Sequence, residues 1–129
     1  MKNFMIILVT SLVTFSCASL STNNKTLIID TEKDNQSVEL LVGQNLKIEA
    51  EKNPSTGFDW HIKVPADCAV EFVKEDSKKI YNDGRVGAPV TGVYEFKALK
   101  KGECVVEFDY SRAWEGQSNN PKKVKITVK

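Results

Sequence analysis

The chain has 129 residues, with 18 Lys and Arg against 17 Asp and Glu and a net charge of +1. That length suits a single domain. So even a charge balance excludes a general attraction for nucleic acid or for an anionic membrane.

Lys2 is the only charge ahead of an uncharged run from Phe4 to Phe15, and small residues follow at Ser16, Cys17, Ala18 and Ser19. A basic start, a short apolar core and a small-residue exit read as a secretory signal over residues 1–18. The run is shorter than the roughly 20 apolar residues that a spanning helix needs. Two processing routes fit. Ser16 before Cys17 suits a bacterial lipoprotein signal with Cys17 as the lipidated residue, although Thr14 stands where Leu is usual. Ser16 and Ala18 equally suit ordinary cleavage after Ala18. Residues 19–25 then form a polar tether. The protein is expected outside the cytoplasm, whether secreted, periplasmic or lipid-anchored at the cell surface, and to meet a membrane only through such an anchor. Without Lys2 the balance is 17 to 17.

Period-2 alternation predicts strands through most of the remainder. Thr26 to Asp30 and Ser37 to Val42 come first, the second followed by a Gly43-Gln44-Asn45 turn. Leu46, Ile48 and Ala50 then face one way, with Lys47, Glu49 and Glu51 opposite. Asn53-Pro54-Ser55-Thr56-Gly57 follows as a loop: Pro54 fixes its own φ and extends Asn53, and Gly57 permits a positive φ. Phe58, Trp60, Ile62 and Val64 share a face until Pro65-Ala66-Asp67 breaks the strand, and Val70 and Phe72 start another that ends near Asp76. Gly84, Gly87, Pro89 and Gly92 make Ser77 to Gly92 an irregular stretch. Strands resume with Tyr94, Phe96 and Ala98 and, after the Lys100-Lys101-Gly102 turn, with Cys104, Val106, Phe108 and Tyr110. Ser111 to Pro121 is a polar loop with one large aromatic, Trp114, and Val124, Ile126 and Val128 point inward on the last strand.

Seven to eight short strands with regular turn signals indicate an all-β fold, an immunoglobulin-like antiparallel β-sandwich over residues 26–129. Its expected core includes Trp60, Phe72, Phe96, Val106 and Phe108. Long loops at 53–57, 77–92 and 111–121 are the expected seat of function.

Asn53-Pro54-Ser55-Thr56-Gly57-Phe58, with Trp60 two positions on, resembles the first signature of the chagasin-type inhibitors of papain-like cysteine peptidases. Tyr110-Ser111-Arg112-Ala113-Trp114-Glu115 resembles their third, and Gly84 to Gly92 holds the place of their glycine-rich second loop. The resemblance implies reversible, non-covalent inhibition of papain or a cathepsin L-like enzyme by a monomer, with no cofactor and no catalysis of its own. The 53–58 loop would enter the active-site cleft between loops 84–92 and 111–116. The residues carried over are Asn53, Pro54, Ser55, Thr56, Gly57, Phe58, Gly87, Ala88, Pro89, Arg112, Ala113 and Trp114. Three departures stand out. Ser55 replaces Thr, Ala113 replaces Pro, and Gly87-Ala88-Pro89-Val90 replaces paired glycines, so that the second loop is expected to rely on backbone contact or on the side chains of Val86 and Val90.

Other chemistry is poorly supplied. His61, the single histidine, lies opposite Trp60 on its strand and is expected exposed, with no nucleophile arranged beside it. His61, Cys68 and Cys104 lack the close spacing of zinc ligands. Cys68 and Cys104 can form a disulfide in an oxidising compartment, or Cys104 can serve as a small buried hydrophobe. Asn35-Gln36-Ser37 fits the glycosylation pattern, which matters only in a eukaryotic host. The rival to inhibition is a surface-anchored immunoglobulin-like adhesion or scaffold domain that binds another partner through the same loops.

Overall fold

A computed structural model describes residues 24–80, 84 and 87–129. The signal segment, Cys17, most of the tether and Val86 lie outside the described residues. Eight strands run β1 (Lys25–Ile28), β2 (Asn35–Leu40), β3 (Asn45–Lys52), β4 (Phe58–Lys63), β5 (Val70–Lys79), β6 (Val90–Ala98), β7 (Gly102–Arg112) and β8 (Lys122–Val128). A 3-10 turn, Pro54–Thr56, joins β3 to β4.

The strands form two four-stranded sheets, ordered β1-β3-β6-β5 and β2-β8-β7-β4. Inward-facing residues of alternating parity from both sheets fill the space between them: Leu46, Ile48, Tyr94 and Phe96 from one, Trp60, Val106, Phe108 and Ile126 from the other, all buried. Side chains of this size contribute roughly 1.5–3 kcal/mol each when fully buried. Edge-on aromatic contacts tie the sheets together, with ring centroids 5.6 Å apart for Tyr94 and Phe108 and 6.3 Å for Phe96 and Phe108. This is the immunoglobulin-like sandwich expected from the alternation.

Four expectations change. The sandwich is not wholly antiparallel, because β1 runs parallel to β3 and β2 parallel to β8. Both are short edge strands reached by crossing between sheets, and alternation is the same for either direction of pairing. Phe72 is 39 % exposed rather than in the core. It lies on the edge strand β5 beside an irregularity between Phe72 and Lys74, and its ring meets that of Phe96 at a steep angle, with centroids 5.5 Å apart. The stretch from Ser77 to Gly92 is not irregular throughout, since Ser77, Lys78 and Lys79 pair with Gly92, Thr91 and Val90. Gly92 is a strand residue paired with Ala50 and Ser77, and a Cβ there would lie 2.8 Å from the Tyr94 hydroxyl. Finally, Lys25 belongs to β1, in register with Leu46, and not to the tether.

Cys68, just before β5, is disulfide-bonded to Cys104 on β7, with a Cα separation of 5.2 Å. The bond staples one sheet to the other. Closing a loop of 36 residues is worth about 3–4 kcal/mol in chain entropy.

Candidate functional site

Strand directions set the two ends of the sandwich. β3 and β7 rise to one end, where β4, β6 and β8 begin, so residues 53–57, 87–89 and 113–121 gather there.

The first loop closes on itself. Asn53 is extended, at φ −120° and ψ 95°, as the residue before a proline should be. Its Oδ1 accepts from the Ser55 N–H at 3.2 Å and from the Ser55 hydroxyl at 2.6 Å. Its carbonyl accepts from the Thr56 N–H at 3.2 Å and the Thr56 hydroxyl at 2.8 Å. Gly57, at φ 81°, ends the turn in the left-handed region and donates to the Pro54 carbonyl at 3.1 Å. The turn residues thus satisfy one another before any partner arrives, which lowers the ordering cost of binding.

The base of the loop is anchored in both sheets. The Asn53 N–H donates to the Tyr110 hydroxyl at 3.1 Å, and Trp60 Nε1–H donates to the Glu51 carbonyl at 3.0 Å. Lys52, only 9 % exposed, places its Nζ 3.0 Å from Asp59 on β4 and 3.1 Å from Glu75 on β5. Burial opposes its charge more than any single contact favours it. Hydrogen bonds to Asp59 and Glu75 together outweigh that penalty and raise the Lys52 pKa. Sequence reading missed Lys52, yet the signal was present: it continues the inward parity of Leu46, Ile48 and Ala50, where a buried lysine needs carboxylate partners.

The third loop leans on the first. Arg112 Nε–H donates to the Thr56 carbonyl at 3.1 Å, and its Nη1 lies 3.1 Å from Glu115. The guanidinium sits 4.5 Å above the Phe58 ring, which stacks on Tyr110 at 5.3 Å. Phe58 is therefore a platform under Arg112. Trp114 is 72 % exposed. Its ring lies against Gly57, where a Cβ would come within 2.4 Å of Cη2. The left-handed turn and the Trp contact both require glycine at this position.

Asp109 holds the far side of this loop. It accepts from the Ser111 hydroxyl at 3.0 Å, the Ser118 N–H at 3.1 Å and the Ser118 hydroxyl. Burial raises its pKa, but hydrogen bonds from Ser118 and Ser111 and the nearby His61 win, and the carboxyl stays below its usual range. Nothing in the local sequence marked Asp109 as a brace. His61 is exposed, with Nε2–H donating to the Ser111 carbonyl at 3.2 Å. The second loop also reaches the tip. Gly87 has φ 80°, and a Cβ there would lie 3.7 Å from Ser55 Oγ, with Ala88 and Pro89 half-buried behind it.

All twelve residues carried over by resemblance thus belong to one cluster at one end. Among the described residues, no three His, Cys, Asp or Glu side chains are grouped to hold a metal ion. A sandwich that offers a self-braced narrow turn between two flanking loops, one crowned by an exposed tryptophan, defines a loop-presenting binding protein.

Comparisons with known proteins identify the class. The chagasin family peptidase inhibitor I42 model matches residues 39–128. The chain is 30 % identical over 103 residues to amoebiasin-2 of Entamoeba histolytica, covering 78 % of this chain and 82 % of that one. The crystal structure of the cysteine protease inhibitor EhICP2 from Entamoeba histolytica aligns with a TM-score of 0.68 at 24 % identity, covering 83 % and 98 % of the two chains. PbICP-C, solved in complex with falcipain-2, aligns with a TM-score of 0.61 at 20 % identity over 81 % and 99 %. The chain belongs to the chagasin family of peptidase inhibitors.

Proposed function

We propose that the protein inhibits papain-like cysteine peptidases reversibly and without a covalent bond, and that it has no catalytic activity of its own. The observation that carries this reading is the contact of Trp114 with Gly57, which fuses the first and third loops into one rigid edge. Ser55, Thr56 and Gly57 make a tip narrow enough to enter a cleft over a nucleophile. Because the tip is closed by its own hydrogen bonds, it resists being drawn into the extended geometry that cleavage requires. Arg112 and Trp114 are residue types that dominate interface energies, and they flank the tip on one side while Gly87, Ala88 and Pro89 flank it on the other. The complex of PbICP-C with falcipain-2 supports a target of this class. The signal-like residues 1–18 and the bonded Cys68 and Cys104 support an extracytoplasmic site of action.

Titration against papain and a cathepsin L-like peptidase tests the proposal. The expected result is competitive, reversible inhibition with the inhibitor recovered uncut, and no effect on serine or metallopeptidases. Stable acylation, or no inhibition at micromolar protein, overturns it. The latter is what an adhesion role for the same loops predicts.

A further inference from the structure

The end opposite the loops has its own surface. Two turns meet there. The Gly43 N–H donates to the Ala98 carbonyl at 2.8 Å, and the Ala98 N–H donates to the Gln44 carbonyl at 3.0 Å. Residues 41–44 are thereby laid beside residues 98–101. Leu41, Val42 and Leu99 on these turns are all exposed large hydrophobics. Single exposed hydrophobics are ordinary, but three on adjoining turns form a patch. Lys100 and Lys101 follow directly and make no ion pair among the described residues. Lys25 and Lys129 lie at the same end and hold Glu39 between them, with Lys25 Nζ 2.7 Å from its carbonyl and Lys129 Nζ 2.9 Å from its carboxylate. The other acids at this end are Asp67 on the exposed turn between β4 and β5, Glu71 beside Lys97 near the start of β5, and Glu103 near the start of β7, which lies 3.6 Å from Lys125 Nζ. The chain is neutral as a whole, yet its topology gathers unpaired cations and bare apolar side chains on one end.

The route of the chain selects the occupant. β1 starts at this end, since Lys25 is in register with Leu46 near the foot of β3. The segment bearing the signal-like run and Cys17 therefore joins the domain beside this patch. Six residues lie between Cys17 and Asn24, a reach of at most about 25 Å. A lipid on Cys17 would hold this end, and not the inhibitory end, against a bilayer. β3 carries eight residues, so the inhibitory loops stand roughly 25 Å away.

We propose that Leu41, Val42, Leu99, Lys100 and Lys101 form a face that docks on an anionic lipid surface and presents the peptidase-binding loops outward. The proposal rests on the extracytoplasmic reading of residues 1–18. Apolar side chains would sink into the headgroup boundary while lysines meet lipid phosphates.

The test uses the processed, exported protein bound to phosphatidylglycerol–phosphatidylcholine vesicles, with an environment-sensitive dye on Val42→Cys or on Thr56→Cys. The Val42 label should shift to the blue and be quenched by lipid-borne quenchers, whereas the Thr56 label should report water. Lys100→Gln with Lys101→Gln should lower the ratio of lipid-contacting to water-exposed Val42 label roughly 30-fold, about fivefold per lysine. Phosphatidylcholine alone should lower it comparably. Two water-like labels, equal quenching of both, or insensitivity to the lysines overturns the proposal. Mass spectrometry of the same protein judges the anchor separately. If Cys17 carries no lipid but the Val42 label still enters anionic vesicles, the face stands and the anchor falls. Papain inhibition by the unlabelled protein without vesicles judges the inhibitory reading independently.

Discussion

Gly57 and Gly43 share a backbone conformation, at φ 81° and φ 84°, yet sit at opposite ends of the sandwich in opposite company. At Gly57 the Trp114 ring occupies the space a Cβ would need; at Gly43 nothing lies within 4 Å. The inhibitory end is held by hydrogen bonds, a guanidinium stack and one exposed aromatic, with few buried apolar side chains. The basal end is held by the Cys68–Cys104 bond and by backbone hydrogen bonds between its turns. One end is shaped to be rigid while exposed, the other to keep the two sheets together. Stability and inhibition should therefore respond to different residues.

The largest contrast is between two alanines. Gly57→Ala and Gly43→Ala should each cost about 1–2 kcal/mol of stability for a left-handed residue with a Cβ. Only Gly57→Ala also displaces Trp114. It should lose about 100-fold or more in papain inhibition, whereas Gly43→Ala should lose none. Comparable inhibition constants for the two would show that the Trp114 contact is incidental.

Removing the staple should do the reverse. Replacing Cys68 and Cys104 by Ala should cost about 3–4 kcal/mol and lower the melting temperature by roughly 10–25 °C. The inhibition constant of the folded protein should not change. A large loss of affinity per folded molecule would mean that the basal end transmits strain to the loops.

Trp114→Ala sharpens the division. Binding should weaken by about 2–4 kcal/mol, or roughly 30- to 1,000-fold, mainly through faster dissociation. The melting temperature should barely move, because the ring is exposed and outside the core. A fall of more than about 8 °C, the upper end for 1 kcal/mol in a small domain, would make Trp114 a structural cap. Thr56→Ser, which keeps the hydroxyl that bonds the Asn53 carbonyl, should be nearly silent in both measurements, while Thr56→Arg should block entry to the cleft.

Much of this division was readable before any coordinates. Alternation located β3, β6, β7 and β8 because each has one buried face, whereas β5 is exposed after Val70 and so runs further than its pattern shows. Pro54 and Gly57 marked the first loop because their dihedral limits are local. What stayed hidden depends on which strand lies beside which. The parallel pairing of β1 and β2, the edge position that leaves Phe72 half-exposed, and the pairing of Ser77–Lys79 with Val90–Gly92 are invisible to a period-2 pattern. The support of the site was hidden for the same reason. Lys52 meets Asp59 and Glu75 from two other strands, and Asp109 meets Ser118 across a turn.

Asp109 offers the smallest and most discriminating effect. Its folded-state pKa is lowered relative to the usual 3.8: burial works against the charge, but the Ser118 and Ser111 hydrogen bonds and the His61 charge more than offset it. A depressed carboxyl contributes stability that is fully present above the unfolded pKa and is lost as pH falls through the folded one. Asp109→Asn should thus destabilise the domain by about 1.5 kcal/mol at pH 6, the lower end for hydrogen bonds to a charged group. The gap in melting temperature between variant and wild type should narrow as pH falls below about 3.8. Inhibition at pH 6 should weaken only several-fold, because Asp109 holds the root of the Trp114 loop while Arg112 still ties that loop to the Thr56 carbonyl. A gap that widens in acid would mean that Asp109 is protonated in the folded protein. A loss of inhibition as large as that of Trp114→Ala would mean that the loop has one support instead of two.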